Sequence, residues 1–247
     1  MSKISRNLPQ AIQEQGYEIR TFMPRYGCIN ERRNQLHEVI RLSGMNLIID
    51  DNDHQLIIKV ASIPSARVQI YFIDNEEYFQ RKCILRDEDG NYYPDNDERA
   101  IFFARGIVET VKKLRWSPEL VHCHGWFSGF IALYLKQIFA EDPLFAGAKV
   151  VVSLYNEAFP GTLDLHIAEK LRAEGVSGEA LGFLENPTYE NTMKFIAAYT
   201  DGVVFAEEGI DEKVKACFTG QGTPVLESIG EEEYAARYAE FYETILS

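Results

Sequence analysis

The residues of this 247-residue chain whose types can do chemistry stand just behind short apolar runs. His122-Cys123-His124 closes one such run, and two-residue spacing on a strand puts both imidazoles on one side. A histidine pair can ligate a metal, but no carboxylate or thiolate with supporting spacing follows it, so no metal site is expected. A strand-end histidine that hydrogen-bonds a polar substrate suits His124. A satisfied core histidine suits His122, which lies deeper in the run. Tyr155, Asn156 and Glu157 follow the run 149–154, Glu207 and Glu208 follow 202–205, and Pro24 to Gly27 follow the first extended run. Ligands of open α/β sheets bind beyond the carboxyl ends of the strands, so these turns are expected to line one cleft. Ser153 precedes a leucine rather than the small residue of a nucleophile elbow, and no Ser/His/Asp arrangement stands out.

The elements that must hold these turns are readable from periodicity. Ile4, Leu8 and Ile12 recur on one helical face ahead of Gly16. Residues 18–23 read as a short strand ending at Pro24. Residues 55–63 and 67–73 are β-rich and separated by Pro64-Ser65-Ala66, as in a hairpin or adjacent strands. Apolar positions from Glu98 to Leu114 cover more than one helical face, as in a helix packed between a sheet and another layer. Short buried strands follow at 120–123, 149–154 and 202–205, with a helix at 128–139 and further helical patterns between them. At the end, Ser228 and Glu231 have capping-box spacing, and an aromatic stripe of Tyr234, Tyr238, Phe241, Tyr242 and Ile245 marks an amphipathic helix at about 229–246. Such a stripe is usually core packing. Apolar strands alternating with helices imply an α/β fold with a Rossmann-like, doubly wound and mainly parallel sheet, here a single domain over 1–247. A doubly wound sheet usually opens on a central strand and an anion-holding turn, whereas this chain starts inside the helix that would follow, so that strand is expected to lie upstream.

Composition narrows the classes. Hydrophobic residues make up 46% and charged ones 26%, which excludes disordered and fibrous chains. The net charge is −13, concentrated in residues 86–98 and 227–247. Acidity confined to two segments reads as solvated surface, and it argues against nucleic-acid and anionic-membrane partners. Four scattered cysteines and no long apolar run fit free thiols in a cytoplasmic protein.

Five segments in order carry a resemblance. They are Phe22-Met-Pro-Arg-Tyr-Gly27; Tyr71-Phe-Ile-Asp-Asn75 with Tyr78-Phe-x-Arg81; Asp95-Asn-x-x-Arg99 with Phe102-Phe103; Val121-His-Cys-His-Gly-Trp126; and Val152-Ser-Leu-Tyr-Asn156 with Gly161. Over residues 3 to about 206 the chain resembles the N-terminal catalytic domain of bacterial glycogen synthases and plant starch synthases. The resemblance implies one half of a two-Rossmann-domain glycosyltransferase that moves glucose, with retention, from ADP-glucose or UDP-glucose to an α-1,4-glucan. It implies no cofactor. By this likeness His124 and Asp95 are the catalytic candidates, and Tyr26, Asn96, Arg99, Trp126, Tyr155 and Asn156 the substrate-binding ones.

Breaking a glycosyl–phosphate bond leaves negative charge on the diphosphate, which cationic groups must meet. In the family these are a lysine beside two glycines in the first loop and an arginine and a lysine in the second domain. The first-loop group would fall before Met1, and only about forty residues follow residue 206, too few for a second domain. A second glycosyltransferase domain or a homodimer is therefore the expected partner. Two positions depart from the family pattern: Gly125 stands where it has aspartate, and Tyr155 where it has histidine. The alternative reading is a non-catalytic glucan-binding or regulatory homologue.

Overall fold

The computed structural model describes residues 2–63, 68–220, 222–228 and 234–247. The chain, expected as one domain, divides into two compact units: Arg6–Leu114, and the residues before Arg6 together with Arg115–Ser247.

The first unit is built on five strands. After helix α1 (Ser2–Glu14) come β1 (Thr21–Pro24), β2 (His37–Glu38), β3 (Met45–Ile49), β4 (Asn52–Ile63) and β5 (Val68–Asp74). The sheet runs β1-β5-β4-β2 with β3 also on β4; β1 is parallel to β5 and every other pairing is antiparallel. Along β4, His54, Leu56, Ile58 and Val60 are buried in alternation, so one face points to the core. Asp50 and Asp51 both take positive φ, 48° and 60°, and make the two-residue turn that joins β3 to β4. The short helix α2 (Glu76–Phe79) is capped by the Asn75 side chain, which accepts from the amides of Glu77 and Tyr78. Helix α3 (Asn96–Leu114) lies over the sheet with Ala100 to Ala104 all buried. Gly106 brings α3 close, since a Cβ there would stand 2.8 Å from Ile73. The segment linking residues 63 and 68 lies outside the described residues.

In the second unit, β6 (Leu120–His124), β7 (Lys149–Leu154), β8 (Gly202–Phe205) and β9 (Val225–Leu226) form a fully parallel sheet in that order. Val150, Val151, Val152 and Leu154 are almost wholly buried, as are Val203 and Val204, as continuous apolar runs in a covered parallel sheet require. Between these strands run α4 (Trp126–Gly129), α5 (Ile131–Leu133), a π turn at Tyr134–Ile138, α6 (Ile167–Ala173), a 3₁₀ turn at Glu179–Glu185, α7 (Tyr189–Ala197) and α8 (Glu212–Thr219). The single helix expected at 128–139 is thus broken into shorter pieces. Helix α9 (Tyr234–Leu246) ends the chain with Tyr238, Phe241, Tyr242 and Ile245 buried; Glu231 of the expected capping box lies outside the described residues. It packs against β8, because a Cβ on Gly202 would meet Ile245 at 2.5 Å and Phe241 at 3.1 Å. No helix among the described residues is long and apolar enough to cross a membrane.

Candidate functional site

In the second unit the carboxyl ends of β6, β7 and β8 form a rim of polar groups. His122 and His124 lie on one side of β6, with ring centroids 4.2 Å apart. Between them Cys123 is buried, which pushes its thiol pKa up to about 12 and keeps it protonated. His122 is satisfied at both nitrogens, with Nδ1 2.6 Å from the Tyr242 hydroxyl and Nε2 2.7 Å from Ser153 Oγ. His124 Nδ1 is 2.7 Å from the Tyr155 hydroxyl. Desolvation lowers both histidines: His122 falls well below its usual range and His124 to about 4. Both are neutral at pH 7. Tyr155 is buried, which raises its pKa and keeps its proton on the phenol.

The turn after β6 depends on a glycine and a distant carboxylate. Gly125 has φ 78° and ψ 170°, a conformation open to glycine. A Cβ there would strike the Glu157 carboxylate, so Glu157 fills the space above this residue. The Glu157 carboxylate accepts the Trp126 amide at 2.7 Å. Burial nonetheless raises its pKa, to about 7. Glu157, expected at the cleft but given no role there, therefore holds the turn that follows His124. Trp126, expected to meet substrate, has a fully buried side chain packed on Phe127 and Phe159, with centroids 5.5 and 5.0 Å away. The exposed Asn156 donates its amide to Glu207 at 3.0 Å and its side-chain Nδ2 to the Glu208 carbonyl at 2.8 Å, tying the β7 and β8 turns together.

The remaining candidates sit in the first unit. Asp95 takes both guanidinium nitrogens of Arg81, with Nη1 at 2.7 Å from Oδ1, and this pairing is the largest cause of the raised Arg81 pKa. Arg99, expected to contact substrate, has no solvent exposure. Its Nε donates to the Tyr78 carbonyl and its Nη2 to the Ile84 carbonyl, both at 2.7 Å, and its Nη1 donates to Asn96 Oδ1 at 2.5 Å. Asn96, equally buried, donates to the Leu85 carbonyl. These two residues clamp the 78–85 segment from inside, since a buried guanidinium is tolerable only when its donors are matched. Tyr26 stands edge-on to Phe79 at 6.0 Å, and the Gly27 amide donates to the Phe79 carbonyl at 2.7 Å. A Cβ on Gly27 would strike the Arg81 carbonyl, so glycine is needed for this approach.

The starch synthase catalytic domain matches residues 1–225. The chain belongs to that family. Glycogen synthase from Chlorobium luteolum is 36% identical over 214 residues, covering 85% of this chain and 44% of the relative. Glycogen synthases from Chlorobium limicola and Chlorobaculum tepidum are 39% and 35% identical, covering 69% and 85% of this chain and 35% and 46% of theirs. The chain thus spans less than half the length of these relatives. A solved structure of the catalytic domain of starch synthase IV from Arabidopsis thaliana, bound to ADP and acarbose, agrees with a TM-score of 0.66 at 16% identity. It covers 90% of this chain and 46% of its own, and it supports the α/β fold with a parallel sheet. Helix α9 begins beyond the residues matched to the starch synthase domain.

Sequence reasoning places Glu157 in a turn expected to line the cleft without giving it a role, and it misses Ser153 and Tyr242 as parts of this rim. The position of Glu157 directly after a strand is what marked it. The others are recruited by packing across 31 and 120 residues from His122.

Proposed function

We propose that this chain is the saccharide-holding half of an α-glucan glucosyltransferase, acting with ADP-glucose or UDP-glucose as donor and an α-1,4-glucan as acceptor. The observation that carries the reading is the rim of the second unit, where a neutral His124 stands with its Nε2 unbonded among the described residues beside Tyr155 and Asn156. Neutral donors and acceptors at a strand end suit the hydroxyls of a sugar. Membership of the starch synthase family supports this choice of substrate class.

The same rim fits a diphosphate poorly. Residues 124–126, 155–157, 207 and 208 include three glutamates and no lysine or arginine. As the glycosyl–phosphate bond breaks, the sugar gains positive character and the leaving group gains negative charge. Carboxylates and neutral dipoles favour the first, and the second needs cations from another polypeptide segment. Transfer therefore requires a second glycosyltransferase half, and His124 orients the sugar while that half receives the diphosphate.

The direct test is glucose transfer from ADP-glucose and UDP-glucose to maltoheptaose, with and without the second half of a curated glycogen synthase relative added as a separate polypeptide. Transfer that needs both pieces and is lost in His124→Ala is expected. Absence of transfer with both pieces folded, together with retained maltoheptaose binding, would favour the glucan-binding or regulatory homologue. The acidic rim and Gly125 are the observations on that side.

A further inference from the structure

One turn, residues 155–157, reaches across to the end of β6 at two points. Its first residue, Tyr155, has its hydroxyl 2.7 Å from His124 Nδ1. Its last, Glu157, accepts the Trp126 amide on Oε1 at 2.7 Å. The turn is closed by its own backbone, since the Glu157 amide donates to the Tyr155 carbonyl at 2.9 Å. The two clasps are therefore tied together, and the Glu157 carboxyl is fixed beside the residue that follows His124. Residue 125, where the family pattern has aspartate, is a glycine at φ 78°, and a Cβ on it would strike both Glu157 oxygens. The missing side chain leaves the seat that the carboxyl from the next turn takes.

This seat is unfavourable for an anion. Glu157 forms no ion pair with a lysine or arginine among the described residues, and burial and the Glu207 carboxylate on the β8 turn push its pKa up to about 7. The bond to Trp126 does not need a charge, because a glutamine oxygen would accept the same amide. Oε2 has no hydrogen-bond partner among the described residues. On a carboxylate it can only accept, whereas a glutamine would put a donor there. Anchoring the turn thus accounts for Oε1 and leaves both the charge and Oε2 without a use. A hydroxyl donor from outside the chain gives both one, since hydrogen bonds to an ionised acceptor are the stronger kind. The turn borders solvent: Glu157 is half-buried and the neighbouring Asn156 is exposed.

We infer that Glu157 is a saccharide-contacting residue of the rim, in which Oε1 holds the turn after His124 and Oε2 accepts a hydroxyl of the glucan. The identity of that hydroxyl as a saccharide's rests on the proposed function; the seat on Gly125 and the unpartnered Oε2 do not. A carboxyl with a structural role alone would be expendable here, because the neutral amide anchors the turn at a lower desolvation cost. A contact role reverses that balance: the charge is unfavourable to the folded chain and favourable to the complex.

The test is titration of the full chain, Glu157→Gln and Glu157→Ala with maltoheptaose, with the urea midpoint and the Trp126 backbone amide resonance recorded for each. The chain has two tryptophans, so ¹⁵N-tryptophan labelling gives two amide signals, which Trp116→Phe assigns. Glu157→Gln keeps the acceptor for Trp126 and replaces Oε2 by a donor. It is expected to leave the Trp126 signal in place, to raise the urea midpoint at pH 8, and to weaken maltoheptaose binding about 5-fold, as loss of a charged acceptor does. Glu157→Ala is expected to move the Trp126 signal as well and to weaken binding further. Stability and binding that move in opposite directions in Glu157→Gln are what a merely structural carboxyl does not give. Unchanged maltoheptaose binding in folded Glu157→Gln overturns the contact and leaves the proposed function standing. Weaker binding accompanied by a lower midpoint and a displaced Trp126 signal in that variant also overturns it, because the loss then traces to the turn. No maltoheptaose binding by the folded wild type overturns the proposed function and the contact with it.

Discussion

Glu157 does two things that oppose each other in pH. As an anion it accepts the Trp126 amide, yet burial raises its pKa from about 4.3 to about 7. A carboxyl raised in the folded state contributes stability below its unfolded pKa and loses it as pH rises through 7. Glu157→Gln keeps an oxygen acceptor and removes the charge, so the variant is expected to match the wild type at pH 4 and exceed it in urea midpoint at pH 8. Equal midpoints at pH 8 would contradict the buried anion. The histidines act in the other direction. Their pKa values are lowered on folding, so stability is present above about 6.5 and falls as pH drops toward 4, by up to about 3 kcal/mol for His124. A shallower acid limb in His124→Gln, measured by urea denaturation at stepped pH, is the expected result.

Arg99 belongs to the same scale. Its three donors hold two carbonyls and Asn96 inside the first unit, so Arg99→Met leaves these acceptors unpaired and is expected to cost about 3 kcal/mol in urea denaturation. An unchanged midpoint would contradict this inward clamp. Nothing in the Asp95-Asn-x-x-Arg99 spacing distinguishes an arginine that faces inward from one that faces a substrate, because helical i, i+3 geometry serves both. The Tyr242–His122 bond was likewise illegible, since a stripe of aromatic residues reads as packing until the fold decides what each hydroxyl reaches.

At the scale of elements, continuous valine runs made β7 and β8 legible to the residue, because buried parallel strands leave no competing pattern. Strand β3 was not: Met45–Ile49 is short, and its hairpin turn uses Asp50-Asp51 rather than a glycine-containing pair. The helix read at 128–139 is divided at Phe130 and again by the π turn, a change of hydrogen-bond pitch that leaves the apolar pattern unaltered. Close helix-to-strand approach was also hidden, since a lone glycine in a strand says little about what lies above it. Gly202→Val is expected to push α9 off β8 at a cost of about 1–3 kcal/mol and to shift the His122 ring resonances. A variant with wild-type stability and unshifted resonances would show that α9 is not seated there.

At the scale of the molecule, the chain covers less than half of each glycogen synthase relative, and each of its two units carries part of the expected site. The family was legible because five separated segments had to agree at once, and the parallel α/β sheet because short apolar strands alternate with helical patterns. The partition of the chain into two units was not, since apolar periodicity records which faces are buried and not which elements share a core. The rim of neutral histidine, tyrosine and asparagine, ringed by carboxylates and proposed to hold a saccharide, is the feature on which the functional account turns. Calorimetric titration of the chain with maltoheptaose and with ADP-glucose, in the wild type and in His124→Ala, tests it most directly. Saccharide binding that weakens about tenfold or more in the variant, with little affinity for ADP-glucose in either, is predicted. Tight ADP-glucose binding by the chain alone, or saccharide binding indifferent to His124, would contradict it.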